Sequence, residues 1–349
     1  MTARLMAIAL TLLGAPVAAQ DAPDCPSGAE PVVSLGFGSR YTAESSNRSD
    51  FDEESDAAVT AALKPIDAFI NALAQATDSL LDPEMEPDEA RATAACVMAQ
   101  ILRWAEADAL SDLSTQGAQL SAPSRVGGIA FAYAAVRDLV PEAEGKAVIE
   151  DWLRARARQT MTYFDTEAPP RASRNNLRAW AGVAVARIGV TLDDPLLMGW
   201  GAVTATLVAC TAGPDGSLPQ EMWRGRLALH YQLHAVAPLV VTAALLEDQR
   251  PGLFAICDNA IPRVVAFTVA ALADPEPVVE ITGKKQTVGG PDDPPRDFEL
   301  AWVPAYLRHV DDPALAALVE DVEKLGNSKL GGDQRLLWPR SAESDPTGG

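Results

Sequence analysis

The chain predicts an all-α protein. Amphipathic stretches with apolar residues three and four apart recur along most of its length, while strand-like alternation is scarce. Proline and glycine clusters punctuate these stretches, as at Pro169-Pro170, Gly213-Pro214-Asp215-Gly216 and Pro291 to Pro295.

In order, the helical spacing covers 56–81, 87–110, 125–139, 147–164, 175–189 and 195–210. It continues over 220–246, 252–273 and 313–325. The first stretch shows the pattern, with Val59, Leu63, Ile66 and Ile70 on one face. No boundary is strong enough to divide the chain, so residues 20–349 read as a single helical domain.

Residues 1–19 read as a secretory signal. Arg4 is their only charge, the apolar run Leu5 to Leu13 follows, and Val17-Ala18-Ala19 supplies a small-residue exit. Cleavage is expected after Ala19. No later segment reaches eighteen consecutive uncharged apolar residues, which predicts a soluble mature protein without membrane insertion.

The four cysteines, Cys25, Cys96, Cys210 and Cys257, are an even number in an exported chain, so disulfides are expected. Spacing alone leaves three pairings open. None lies in CxxC, and no metal or cofactor is expected. His230 and His234 form an H-x3-H pair, but Gln232 and Leu233 stand between them where a zinc protease has glutamate.

A net charge of −20 with no basic stripe excludes a general nucleic-acid binder. A basic cleft inside an acidic envelope is compatible with it, because charges farther apart than ~8 Å are largely screened at physiological salt. One pair of residues suggests such a cleft. Arg224 and Tyr231 lie seven apart in a stretch with helical spacing, about two turns, so both would project from one face. A guanidinium can grip a carboxylate in a fork and a phenol can move a proton, which suits chemistry on an acidic sugar.

Several segments, in order, resemble the family-5 polysaccharide lyases, the periplasmic alginate lyases. Gly38-Ser39-Arg40-Tyr41 is similar to the family's Ser-Lys/Arg-Tyr segment, and Arg103-Trp104-Ala105-Glu106-Ala107-Asp108-Ala109-Leu110 to its "RWAEADAL" helix. Asn175-Asn176-Leu177-Arg178-Ala179-Trp180 resembles "NNHSYW", and Asp215-Gly216-Ser217-Leu218-Pro219 through Tyr231 resembles "DGxLPxEL…R…ALxY". Ala301-Trp302 to Tyr306 and Leu330-Gly331-Gly332 complete the series, which covers about residues 34 to 335.

The resemblance implies an incomplete α/α toroid with a deep groove. It also implies β-elimination on a 4-linked polyuronate, mannuronan or the C2 epimer glucuronan, in the periplasm and as a monomer. Residue by residue, it gives Asn176 and Arg224 to neutralising the uronate carboxylate and Tyr231 to proton transfer. Arg40 and Tyr41 would contact substrate from a loop, with Arg178, His234, Trp302 and Tyr306 as further substrate contacts. Trp180 and the 103–108 segment read as structural. Cys96 aligns with a family cysteine, which implies a Cys25–Cys96 disulfide and leaves Cys210 with Cys257.

The chain departs from the family where Leu177 replaces a histidine. That departure raises a second reading, a non-catalytic protein of the same fold that binds acidic polysaccharide. A helical scaffold for protein partners is the third.

Overall fold

Helices form two concentric layers in a computed structural model that describes Cys25 and residues 28–339; the signal expected at 1–19 lies outside the described residues. The long helices are α1 (Glu53–Ser79), α2 (Pro87–Glu106), α3 (Gln116–Val136), α4 (Lys146–Thr166), α5 (Asn176–Leu192) and α6 (Pro195–Ala209). After the short α7 (Pro219–Met222) come α8 (Ala228–Leu246), α9 (Ile256–Ala273) and the minor helices α10 (Glu276–Thr282), α11 (Val303–Leu307), α12 (Pro313–Leu318) and α13 (Gln334–Leu337).

Helices α1, α3, α5 and α8 pack successively as the inner layer. Around them α2 and α4 cover α3, α4 and α6 cover α5, and α6 and α9 cover α8. This is an incomplete α/α toroid. The sequence explains the layering. Inner α5 and α8 are apolar on nearly every side and bury most of their residues. Outer α4 is amphipathic and buries Ile149, Trp152, Leu153, Arg156, Ala157 and Thr160 along one stripe.

Two strand pairs, β1 (Ser34–Leu35) with β2 (Asp112–Leu113) and β3 (Gly326–Asn327) with β4 (Gly332–Asp333), tie the terminal segments to this frame. Side-chain caps fix where the helices begin: Asp52 for α1, Thr115 for α3, Asn175 for α5 and Asp194 for α6. Each such cap contributes about 1 kcal/mol.

Helix α5 is the wall shared by two hydrophobic clusters. Its Trp180, Val183 and Ala186 face the α6–α8–α9 side, and its Ala181, Val185 and Ile188 face the α1–α4 side. The α5–α6 approach depends on glycine. A Cβ on Gly182 would come 2.7 Å from Thr204 Cγ2, and one on Gly201 would come 2.7 Å from Ala186 Cβ. Disulfides join Cys25 to Cys96 and Cys210 to Cys257, with Cα–Cα distances of 5.3 and 5.5 Å.

Several boundaries differ from the sequence expectation. Helix α3 starts at Gln116, nine residues before the expected 125, because Thr115 caps it and Pro123 is accommodated inside it. The stretch expected as one helix over 220–246 is broken: α7 ends at Met222, a 3-10 turn spans Gly225–Leu227, and Gly225 has φ 59°. The helix expected over 313–325 stops at Leu318. By length and composition alone, Glu53–Ser79, Gly225–Leu246 and Leu253–Ala273 are apolar enough on average to cross a membrane, although none is an uninterrupted run of eighteen uncharged apolar residues. In Gly225–Leu246, 78% of that apolar window is buried inside the protein.

Candidate active site

The break after α7 decides the geometry. Arg224 does not share a helical face with Tyr231, as the seven-residue spacing suggested. It lies in the turn before the 3-10 segment, and Tyr231 occupies the first turn of α8. They meet nonetheless, because the turn folds the guanidinium to 3.5 Å from the Tyr231 ring centroid. Arg224 is 6% exposed: Nη2 donates to Tyr41 Oη at 2.9 Å and to the Arg48 carbonyl at 2.6 Å, and Nε donates to the same carbonyl at 3.2 Å.

Tyr41 completes the cluster from the N-terminal segment. Its ring stacks on Phe51 at 5.1 Å, and its hydroxyl hydrogen-bonds to the Tyr231 hydroxyl. Three chain segments therefore place two phenols and one guanidinium together. Burial pushes the Tyr231 hydroxyl well above an ordinary phenol; Arg224 opposes that rise and Tyr41 adds to it.

Asn176 opens α5 and is fully buried. Its backbone N–H donates to Glu221 Oε1 at 2.7 Å, and its Nδ2 donates to Glu221 Oε2 at 2.9 Å. Burial pushes the Glu221 carboxyl up to about 7, against the hydrogen bonds from Asn176 and the attraction of Arg224. Glu221 thus links Asn176 to the Arg224 turn. Leu177, next in the chain, is partly buried against the α1–α4 cluster.

One turn along α8 from Tyr231, the His234 ring lies 6.4 Å from the Tyr231 ring and faces a cleft of about 400 Å³. Trp180, Asn71, Phe298, Glu299 and Lys329 also line it. Trp180 donates its Nε1–H to the His234 carbonyl at 3.1 Å. Burial first, then the Lys329 charge, holds the His234 imidazole well below its ordinary range. Burial and Arg125 lower Lys329 to about 8. Burial alone would raise Glu299, but hydrogen bonds from His230 and Arg296 outweigh it and hold the carboxyl at about 2. Arg40, at the edge, pairs with Asp56 at 3.2 Å, and its charge reaches Lys329.

Three expected substrate contacts lie elsewhere. Arg178 is 6% exposed and turned onto the outer layer, where it binds Asp165 at 2.6 Å and the Phe164 carbonyl at 3.0 Å and covers the Trp200 ring. Trp302 is fully buried with its Nε1–H on the Glu299 carbonyl, and Tyr306 packs edge-on against Trp302 and Phe254. Both are core residues, with no face free for a sugar ring. Sequence reasoning also missed Glu221 and Lys329. Glu221 is the acidic position of the DGxLPxEL segment itself and Lys329 directly precedes Leu330-Gly331-Gly332, which was the available signal. Among the described residues no group of three His, Cys, Asp or Glu could hold a metal.

Known proteins match this chain along most of its length. The family model described as alginate lyase matches residues 130–278. A polysaccharide lyase from Stenotrophomonas maltophilia is 28% identical, with 95% of each chain covered. An alginate lyase from Azotobacter vinelandii is 27% identical over 93% of this chain and 86% of its own, and one from Pseudomonas aeruginosa is 24% identical over 93% and 88%. Among solved structures, alginate lyase A1-III in complex with a tetrasaccharide superposes with a TM-score of 0.76 at 21% identity, covering 93% of this chain and 88% of that one. The same enzyme from Sphingomonas species A1 in a second structure gives 0.69. The chain thus shares the toroid architecture of alginate lyase A1-III and is similar in sequence to alginate lyases, by the family model from within α3 to within α10 and by these relatives along most of its length.

Proposed function

We propose that this protein is an exported polysaccharide lyase that cleaves a 4-linked polyuronate, mannuronan or glucuronan, by β-elimination. The observation that carries the reading is the meeting of the Arg224 guanidinium with the Tyr41 hydroxyl and the Tyr231 ring, and of the two hydroxyls with each other.

In the reaction, the C5–H bond breaks and its proton passes to a base. The electron pair forms the C4–C5 double bond, and the C4–O bond to the leaving sugar breaks as that oxygen takes up a proton. Arg224 and Asn176 would neutralise the uronate carboxylate, which makes the C5 proton acidic and stabilises the enolate. Tyr231 would carry the protons. A phenol raised by burial is a poor base, so its work depends on Arg224, the group that pulls it down. An incoming sugar would take the place of the Tyr41 hydroxyl on Tyr231. The adjoining cleft, with Lys329 as its cation and Trp180 as its aromatic wall, would hold a neighbouring uronate.

Every group in this scheme comes from one chain, so a monomer suffices. Two disulfides fit an oxidising compartment such as the periplasm, reached after loss of residues 1–19. We take residues 20–349 as one domain.

The test is the ultraviolet absorbance of an unsaturated uronate on mannuronan, guluronan, glucuronan and mixed polymers. Turnover of at least one is expected. Affinity for a polymer without any unsaturated product would overturn the lyase reading in favour of a binder, the reading that an apolar Leu177 at the family's histidine position supports.

A further inference from the structure

Glu221 has no exposed surface, and both of its oxygens serve one residue. Oε1 accepts the Asn176 backbone N–H, and Oε2 meets the Asn176 carboxamide. With an ionised glutamate this arrangement has two faults. The buried charge has no ion pair among the described residues, and Asn176 Oδ1 is buried without a donor. One proton removes the charge and, with the carboxamide turned over, gives Oδ1 a donor, which leaves Nδ2 as the group that wants a partner. Turning the carboxamide over exchanges its oxygen and nitrogen without changing its shape. Oε2–H then donates to Oδ1, Oε1 keeps the backbone N–H, and Nδ2 takes the position now held by an unpartnered acceptor.

We propose that Glu221 is a positioning residue that works as a neutral carboxylic acid, donating its proton to Asn176 Oδ1 so that Asn176 Nδ2 faces the substrate carboxylate. The inference rests on the reading of Asn176 as a partner of that carboxylate. Electrostatics favour the neutral acid further once substrate is bound. An ionised Glu221 would set a second negative charge one amide away from the uronate and from the enolate it becomes, and two close carboxylates do not both ionise readily. The charged group acting on Glu221 is Arg224, from its own segment. Helix α5 offers the neutral Asn176, and α8 and α10, which also pack on α7, bring no charge that acts on it. Burial places its titration near 7, so a neutral form is within reach at working pH.

The experiment compares wild type, Glu221→Gln and Glu221→Ala in two measurements. The first is kcat against pH on a polymer that the wild type cleaves. Glutamine reproduces the neutral acid, with Oε1 accepting and Nε2 donating. Glu221→Gln should keep at least about half of kcat and lose the fall that wild type shows as pH rises through about 7. Glu221→Ala, which offers no donor, should lose about tenfold or more in kcat. The second is an infrared pH titration without substrate. Wild type should show a protonated carboxyl band that bleaches across the same range and is missing from Glu221→Gln. Glu221→Gln as inactive as Glu221→Ala, or no such band in wild type, overturns the proposal. If no polymer is cleaved, the lyase reading fails, and the infrared band still decides the state of Glu221.

Discussion

Replacing Arg178 by leucine separates a structural arginine from a substrate-binding one. The side chain is 7% exposed and makes two charge-assisted contacts, with Asp165 and with the carbonyl of Phe164. That carbonyl belongs to the last turn of α4, where carbonyls have no intrahelical partner and a cation is favoured by the helix dipole. Hydrogen bonds to charged groups contribute about 1.5–3 kcal/mol each. The loss is offset on two counts: leucine removes a buried charge, and Asp165, 45% exposed, rehydrates while keeping the Trp200 Nε1–H at 2.9 Å. Leucine also preserves apolar bulk over the Trp200 ring.

A net cost of ~2–3 kcal/mol follows from these terms. With an unfolding entropy of about 2 cal/mol/K per residue, that lowers Tm by roughly 3–5 °C for a chain of this size. The assay pairs thermal unfolding with steady-state kinetics at a temperature where both proteins are folded. A lower Tm with unchanged KM is expected. An unchanged Tm with a KM raised severalfold would refute the reasoning and return Arg178 to the groove.

The remaining predictions concern the groove. Tyr231→Phe should lower kcat by about 10²–10⁴ with little change in polymer affinity, because the hydroxyl acts in the transition state; parallel single-turnover and binding measurements check this, and retained turnover would remove Tyr231 from the proton path. Lys329 loses its charge as pH rises through about 8, so polymer affinity should fall across that range in wild type. Lys329→Met should bind more weakly at neutral pH and show no such fall, and equal pH dependence in the two proteins would show that Lys329 makes no ionic contact with the polymer.

The helices were legible because their cause is local: a 3.6-residue period of apolar side chains appears in the sequence whatever lies around it. The break at Arg224-Gly225 was not, since apolar spacing runs through it and only the positive φ of Gly225 marks the turn. The proximity of Arg224 to Tyr231 survives by another route, a turn packed against the N-terminal segment. Trp302 and Tyr306 show the converse limit. An aromatic residue suits a sugar platform and a core equally well in sequence, and burial decides between them. Arg178 was misread because its partners, Asp165 and Trp200, belong to α4 and α6, whose approach to α5 is tertiary. Glu221 escaped notice for a related reason. Its chemistry comes from being enclosed with Asn176, 45 residues away.

A chain of net charge −20 that takes a polyanion presents an electrostatic conflict, and the structure divides it by distance. Arg224 is 6% exposed and Lys329 faces the cleft, so these cations act over a few ångströms in surroundings that largely exclude water. The acidic side chains are spread over the surface, where they repel a polyuronate from farther away. Salt acts unequally on the two. At physiological ionic strength the Debye length is about 8 Å, which weakens the long-range repulsion and leaves the buried contacts nearly intact. Adding salt from a low starting point should therefore raise kcat/KM, chiefly through faster association, until screening reaches the groove itself. A basic polyanion-binding protein shows the reverse, a steady loss of affinity with salt. Initial rates at subsaturating polymer over a sodium chloride series decide the matter, and a monotonic fall from the lowest salt would mean that the groove's cations, and not the acidic surface, govern encounter.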